Sequence, residues 1–270
     1  MQRFTDIHFQ LPLVVALTAQ DALSGTTQPV IISGTNNVNN TLEDFVVKPR
    51  GCVRLIGGGS MREFLAAFIA LELELNVPDP AIIQISNQFI ESTRYTDNFK
   101  YFTDSSGNNF GSKYVEGFIT IIEDFSLFRK HYLELQKLLV FDILISTSDR
   151  RRAKPNMALY DGSIYIYDHE LSFGFYFALT PNPEPWKIIE PDRTAIEGHI
   201  LFNYFKSKKF ECDNFIDTFS RLDNNFWNKA QSFIPADLMD GDQFEKIKNN
   251  LTSKIENLSV YREEIIKVLL

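Results

Sequence analysis

Cysteine is scarce in this chain. Only Cys52 and Cys212 occur, far apart and without a Cys-x-x-Cys partner, and the four histidines are scattered. A disulfide framework and a short-spaced zinc site are therefore both unsupported, and a reducing cytoplasm is the expected setting. No apolar run approaches the roughly 18 residues of a membrane span. The apolar stretch from Leu11 to Leu17 follows Arg3, but Asp6 sits in the would-be basic region and Pro12 interrupts the start of the run. That spelling opposes a secretory leader and favours a first buried strand. Positive charge is also in deficit: the formal net charge is -8, which argues against general nucleic-acid binding through phosphodiester backbones. The run from Arg150 to Lys154 is the local exception.

What is present suits a globular protein. The 270 residues, 44% hydrophobic and 13% aromatic, can bury a sizeable core in one large domain or two lobes. Strand patterns run over Leu13 to Thr18, Pro29 to Ser33 and Asp44 to Lys48, separated by Gly25-Thr26-Thr27 and by Gly34 to Asn40. Three glycines, Gly57 to Gly59, lead into Ser60-Met61-Arg62-Glu63, a capping-box spelling, and into a helix with Phe64, Phe68, Leu71 and Leu75 on one face. Asn76-Val77-Pro78 stops it. Ile82 to Ile85 reads as a fourth strand, Asn98 to Tyr114 as a turn-rich aromatic excursion, and Ser126 to Ile145 as an apolar helical stretch. Beyond Ser172 the pattern is helical, interrupted by Pro181 to Pro185. Sheet first and helices later predict an α+β protein: an N-lobe with a small antiparallel sheet over residues 1–110, and a mainly helical C-lobe over 111–270.

The densest chemistry lies between Ser148 and Glu170. Asp161-Gly162 is a hairpin signal between Met157 to Tyr160 and Ser163 to Tyr167. A two-residue loop places Asn156 opposite Tyr167, and a three-residue loop places it opposite Asp168. In either register Asn156 and Asp168 meet at the open end of the hairpin, where Asp149 arrives from the preceding loop. A carboxylate and an amide oxygen at cross-strand distance can share one hard divalent cation. The order Asp, Asn, Asp is that of a catalytic base and two metal-binding residues in phosphoryl transfer.

Together with the flanking segments, these residues resemble the HipA-like kinases of the protein-kinase-like superfamily. Gly25, Thr26 and Thr27 resemble the family's short phosphate loop, and Phe45-Val46-Val47-Lys48 the strand ending in its nucleotide-binding Lys48. Glu63 resembles the helix glutamate that pairs with that lysine. Leu75 to Pro80, Phe110 to Tyr114 and Ile234 to Asp237 match further phrases of the family. The resemblance implies a two-lobed protein-kinase-like fold over residues 1–270. It also implies ATP and magnesium as cofactors, Asp149 as catalytic base, and Asn156 and Asp168 as metal ligands. The activity implied is ATP- and Mg-dependent phosphotransfer to a hydroxyl acceptor, a protein serine or threonine.

The chain departs from the general kinase template at three places. Asp149 and Asn156 stand seven residues apart rather than five, bringing Arg151, Arg152 and Lys154 into the loop. Asp168-His169-Glu170 replaces Asp-Phe-Gly, and the phosphate loop carries one glycine. The additional N-terminal subdomain of the longer HipA toxins is not expected. Two other functions stay open: a nucleotide-binding pseudokinase acting as an interaction module for a regulatory protein partner, and a small-molecule or lipid kinase. Glu63 has a competing local role as the capping-box partner of Ser60. Arg150 to Arg152 are candidates for stabilising the transferred phosphoryl group or recognising an acidic acceptor.

Overall fold

Backbone direction is what assembles the strand-rich half. The computed structural model describes residues 2–23, 28–52 and 57–269. Its first three strands, β1 (Leu13–Ala22), β2 (Val30–Asn36) and β3 (Leu42–Lys48), form an antiparallel meander. The chain then crosses over through the helix Gly59–Glu72 and returns as β4 (Pro80–Ile85). A helical crossover lets a chain come back running in the direction it left, and β4 accordingly pairs parallel with β1, Leu13 facing Ile82. With β5 (Gly107–Lys113) inserted antiparallel between β3 and β4, the order β1-β2-β3-β5-β4 closes on itself as a barrel. The sheet is thus a closed barrel with one parallel pair, which corrects the expectation of a purely antiparallel sheet.

β5 replaces much of the turn-rich excursion expected from Asn98 to Tyr114, and a short helix, Phe99–Thr103, precedes it. Its sequence, GNNFGSK, is poor in strand formers. Tertiary packing decides instead. Gly111 sits opposite Val47 on one side and Ala81 on the other, and a side chain there would collide with Ile83, so only glycine lets the barrel close at this point.

Two cores result. Val14, Ile32, Phe45, Val47, Ile83, Phe89 and Phe102 fill the barrel. The larger core joins the helix Gly59–Glu72 to the helices Tyr132–Leu144, Gly241–Glu256 and Leu258–Leu269, and to the hairpin of β7 (Met157–Tyr160) and β8 (Ser163–Ile166). All fourteen residues of Gly59–Glu72 are buried, the mark of a helix inside a core rather than on its surface. The stretch predicted over Ser126 to Ile145 divides into Phe125–Lys130 and Tyr132–Leu144 at His131. Strand β6 (Ile119–Thr120) pairs with β7. Asp237, after the helix Asn224–Phe233, accepts hydrogen bonds from Arg50 Nη1 (2.8 Å) and Asn108 Nδ2 (2.9 Å), fastening the helical part to the barrel. Among the described residues no helix is long and apolar enough to cross a membrane.

Candidate functional site

The hairpin turn fixes the position of the site. Asp161 (φ 47°) and Gly162 (φ 72°) both adopt left-handed backbone and Tyr160 faces Ser163, the two-residue type I′ solution. Tyr167 donates its backbone N–H to the Asn156 carbonyl (3.2 Å), so Asn156 lies opposite Tyr167 and one position from Asp168. Asn156 (φ 49°) and Asp168 (φ 63°) are themselves left-handed, a conformation that Asn and Asp tolerate better than most residues.

Lys48 leaves the end of β3 and is 7% exposed. Its ammonium pairs with Glu63 of the buried helix, donates to Asp168 Oδ1 at 2.5 Å and lies 3.5 Å from Glu170 Oε2. Burial alone lowers a lysine's affinity for its proton, but these three carboxylates outweigh it and hold Lys48 well above its ordinary value. Burial likewise disfavours the Asp168 carboxylate, and Lys48 and Lys154 override it, keeping Asp168 well below the usual range. Glu63 accepts the backbone N–H of His169 (3.0 Å) with its second oxygen. The capping box expected from Ser60 and Glu63 does not form: the helix starts behind Gly58 (φ 76°) with no side-chain cap, and Ser60 Oγ has no hydrogen-bond partner. Glu63 faces Lys48 instead.

The preceding helix residue, Arg62, is fully buried. It donates to the carbonyls of Glu170 (2.7 Å) and Gly57 (2.8 Å) and to Gln243 Oε1 (3.1 Å). Two consecutive residues of one helix therefore hold the Asp168 to Glu170 segment, one through its side-chain ammonium partner and one through its backbone.

The catalytic-loop candidate is held from below. Asp142, within the apolar helix Tyr132–Leu144, accepts from Arg150 Nε (2.5 Å) and from His199 Nε2 (2.9 Å). His199 Nδ1 accepts the Leu201 N–H (3.1 Å), which leaves Nε2 as the protonated donor. Arg150 also donates to the Asn156 carbonyl at 2.5 Å. This corrects one expectation: Arg150 is spent inside the protein on positioning the loop and is unable to reach a phosphoryl group or an acceptor. Arg151 donates to the Ser148 carbonyl (2.8 Å) and the exposed Arg152 pairs with Glu123 (2.9 Å). His169 packs edge-on against Phe141, 6.2 Å between centroids, and neither ring nitrogen has a hydrogen-bond partner. Burial pushes it down to about 3, so it is neutral.

Lys154, which the sequence placed in the lengthened loop without a role of its own, joins the two aspartates. Its ammonium lies 2.6 Å from Asp149 Oδ2 and 2.8 Å from Asp168 Oδ2, and Asn156 Nδ2 approaches Asp149 at 3.4 Å. Lys48, Glu63, Asp149, Asn156 and Asp168 are thus joined in one network. Gly25, Thr26 and Thr27 lie outside the described residues. Glu63, Asp168 and Glu170 bring one oxygen each within 4.8 Å of one another, a hard-oxygen donor set of the kind magnesium takes.

A family model described as HipA-like kinase matches residues 17–182, more than half of the chain. The chain belongs to the HipA-like kinase family. No curated protein matches it. The matched span begins in β1 and runs through the buried helix, the barrel, the hairpin and the Asp168 segment. It contains every residue of the network just described. Membership makes this a kinase-type domain, and kinases in general use ATP with magnesium. Asp142 had a signal in the sequence, a carboxylate enclosed by the apolar run Leu138 to Ile145; His199 had none.

Proposed function

We propose that this HipA-like kinase is an ATP- and Mg-dependent phosphotransferase acting on a hydroxyl acceptor, a protein serine or threonine. The observation that carries the reading is the convergence of Lys48, Glu63 and Asp168, drawn from a strand, a helix and a hairpin end, into one buried ion-pair network. A lysine locked by a glutamate beside a metal-binding aspartate is the arrangement that neutralises ATP phosphates. The barrel acts as the small lobe and the helical part as the large one, with nucleotide between them. Gly25, Thr26 and Thr27 are the phosphate-contacting residues in this reading, on the family resemblance alone.

Asp168 and Asn156 would hold the magnesium, with Glu170 beside Asp168. The ion would supply charge neutralisation on the phosphates. Asp149 orients the acceptor hydroxyl and takes its proton, the role of a positioned base worth about 10²- to 10⁴-fold in rate. Lys154, beside Asp149, is placed to pair with the transferred phosphoryl group once nucleotide is bound.

The test is Asp149→Asn. Calorimetric affinity for Mg-ATP should stay nearly intact while transfer of labelled γ-phosphate, to the protein itself or to a lysate, collapses. Equal transfer by wild type and variant refutes the assignment of Asp149. Binding without any transfer by wild type, under conditions where a control kinase labels, turns the reading to a pseudokinase.

A further inference from the structure

A cavity of about 340 Å³ lies in the helical part, and none of the phosphate-site residues lines it. Its apolar lining includes Ile143, Phe175, Ile188 and Tyr261. Into this lining the helix Gly241–Glu256 sends Lys254, only 4% exposed. Its ammonium donates to the Leu144 carbonyl (2.9 Å), at the C-terminus of a helix, and lies 3.4 Å from Ser146 Oγ. That contact explains part of its burial, since helix C-termini favour cations. It does not supply a counter-ion. Among the described residues no carboxylate stands within ion-pair distance of Lys254. Of the carboxylates on the cavity wall, Asp142 is taken by Arg150 and His199, and Asp192 accepts the Ile189 N–H at the start of its own helix and acts on Lys254 only from beyond ion-pair distance. Lys187 is paired with Glu184.

One helical turn before Lys254, Asn250 also lines the cavity, and its side-chain oxygen is buried without a hydrogen-bond partner. Residues four apart share one face of a helix. A partnerless amide oxygen and an ammonium held only by neutral groups, two oxygens and the rings of Phe175 and Tyr261, therefore converge on an apolar space whose volume suits a small ligand. Burying an ammonium without a counter-charge at ion-pair distance is costly, and burial, opposed only in part by the more distant Asp192 carboxylate, pushes Lys254 down to about 8.

We propose that this cavity binds a small amphipathic anion, with its acid group on Lys254, a hydrogen-bond donor on Asn250 and a ring-bearing apolar body against Phe175, Ile188 and Tyr261. The site stands apart from the nucleotide reading above and does not depend on it. Its wall is nevertheless stitched to the loop that carries Asp149. Phe173 and Gly174 donate backbone N–H groups to the carbonyls of Ile145 (2.6 Å) and Ser146 (3.0 Å), so an occupant braces the base of that loop without entering the phosphate site.

Fluorescence titration with 8-anilinonaphthalene-1-sulfonate tests this, because the dye carries an acid, an N–H donor and two ring systems. N-phenyl-1-naphthylamine, with the same rings and N–H but no acid, is the control. The wild type should bind the sulfonate at one site. Lys254→Met should weaken that binding about 10- to 150-fold, the range of a lost charge-assisted hydrogen bond, and leave the neutral dye unaffected. Ala195→Phe, which fills the cavity from the helix Glu190–Glu197, should weaken both dyes. Equal sulfonate affinity in wild type and Lys254→Met overturns the proposal. So does unchanged affinity for both dyes in Ala195→Phe, which also decides the matter if Lys254→Met does not fold.

Discussion

Removing the Lys154 ammonium should make the empty-handed protein a better binder of divalent cations. Lys154 sits 2.6 Å from one Asp149 oxygen and 2.8 Å from one Asp168 oxygen, occupying the space between two acidic groups that a metal would also seek. Two unit charges about 4 Å apart interact by about 4 kcal/mol at an effective dielectric of about 20. The Lys154 side chain is 35% exposed, and solvent screening brings such a pair down to about 1 kcal/mol. Two pairs then give about 2 kcal/mol in favour of excluding a competing cation, or roughly 30-fold in affinity. Lys154→Met keeps the length of the side chain and discards the charge. Manganese titration followed by electron paramagnetic resonance, without nucleotide, should show tighter binding by about that factor. Lys209→Met, on a lysine 81% exposed beside Glu211, should change nothing. With nucleotide present the gap between wild type and Lys154→Met should narrow, because the ammonium then has phosphate to pair with. A folded Lys154→Met protein whose manganese affinity lies within about threefold of wild type refutes the reasoning.

Three further outcomes follow from the same geometry. His199 is held below its ordinary value, chiefly by burial against the pull of Asp142, so the unfolded chain takes up a proton that the folded one refuses. Its contribution to stability is complete above about pH 6.5 and declines as pH falls below it, by at most about 1.4 kcal/mol per unit; melting curves of His199→Gln should show a shallower acid slope than wild type. Arg150→Met leaves Asp142 in the core with His199 but without its positive partner, and loss of one partner of a buried pair costs about 3–5 kcal/mol; urea unfolding should show a drop of that order, and a change under about 1 kcal/mol would contradict the structural role given to Arg150. Gly111→Ala forces a methyl group onto Ile83 in the barrel wall and should lower stability by about 1–3 kcal/mol, whereas Gly241→Ala, with open space around it, should leave the melting temperature nearly unchanged.

Local chemistry was legible in the sequence wherever it was spelled by neighbours. Asp161-Gly162 announces the hairpin, and the hairpin brings Asn156 to the same end as Asp168 whichever loop length is taken. The mixed α+β character and the β1 to β3 meander follow from alternation and turn residues in the same way. Closure of the barrel does not, because the strand that completes it has the sequence of a loop and owes its conformation to the strands on either side. Nor does the choice between two partners for Glu63: Ser60 is close in sequence, Lys48 is distant, and only packing of the whole helix shows that the distant one wins. Arg150 misleads for a related reason. An arginine in a basic loop reads as solvent-facing until a buried carboxylate from an earlier helix is placed beneath it.

The complete burial of the helix Gly59–Glu72 bears on how the activity can be switched. Where such a helix rides on the outside of a small lobe, turning it outward breaks the lysine–glutamate pair and silences the enzyme at little cost. Here Phe64, Phe68 and Ile69 are fully enclosed in the larger core, and exposing each costs about 1.5–3 kcal/mol. Glu63 is therefore held in place by the packing of its whole helix. A regulator that worked by prising out this helix would have to open the larger core first.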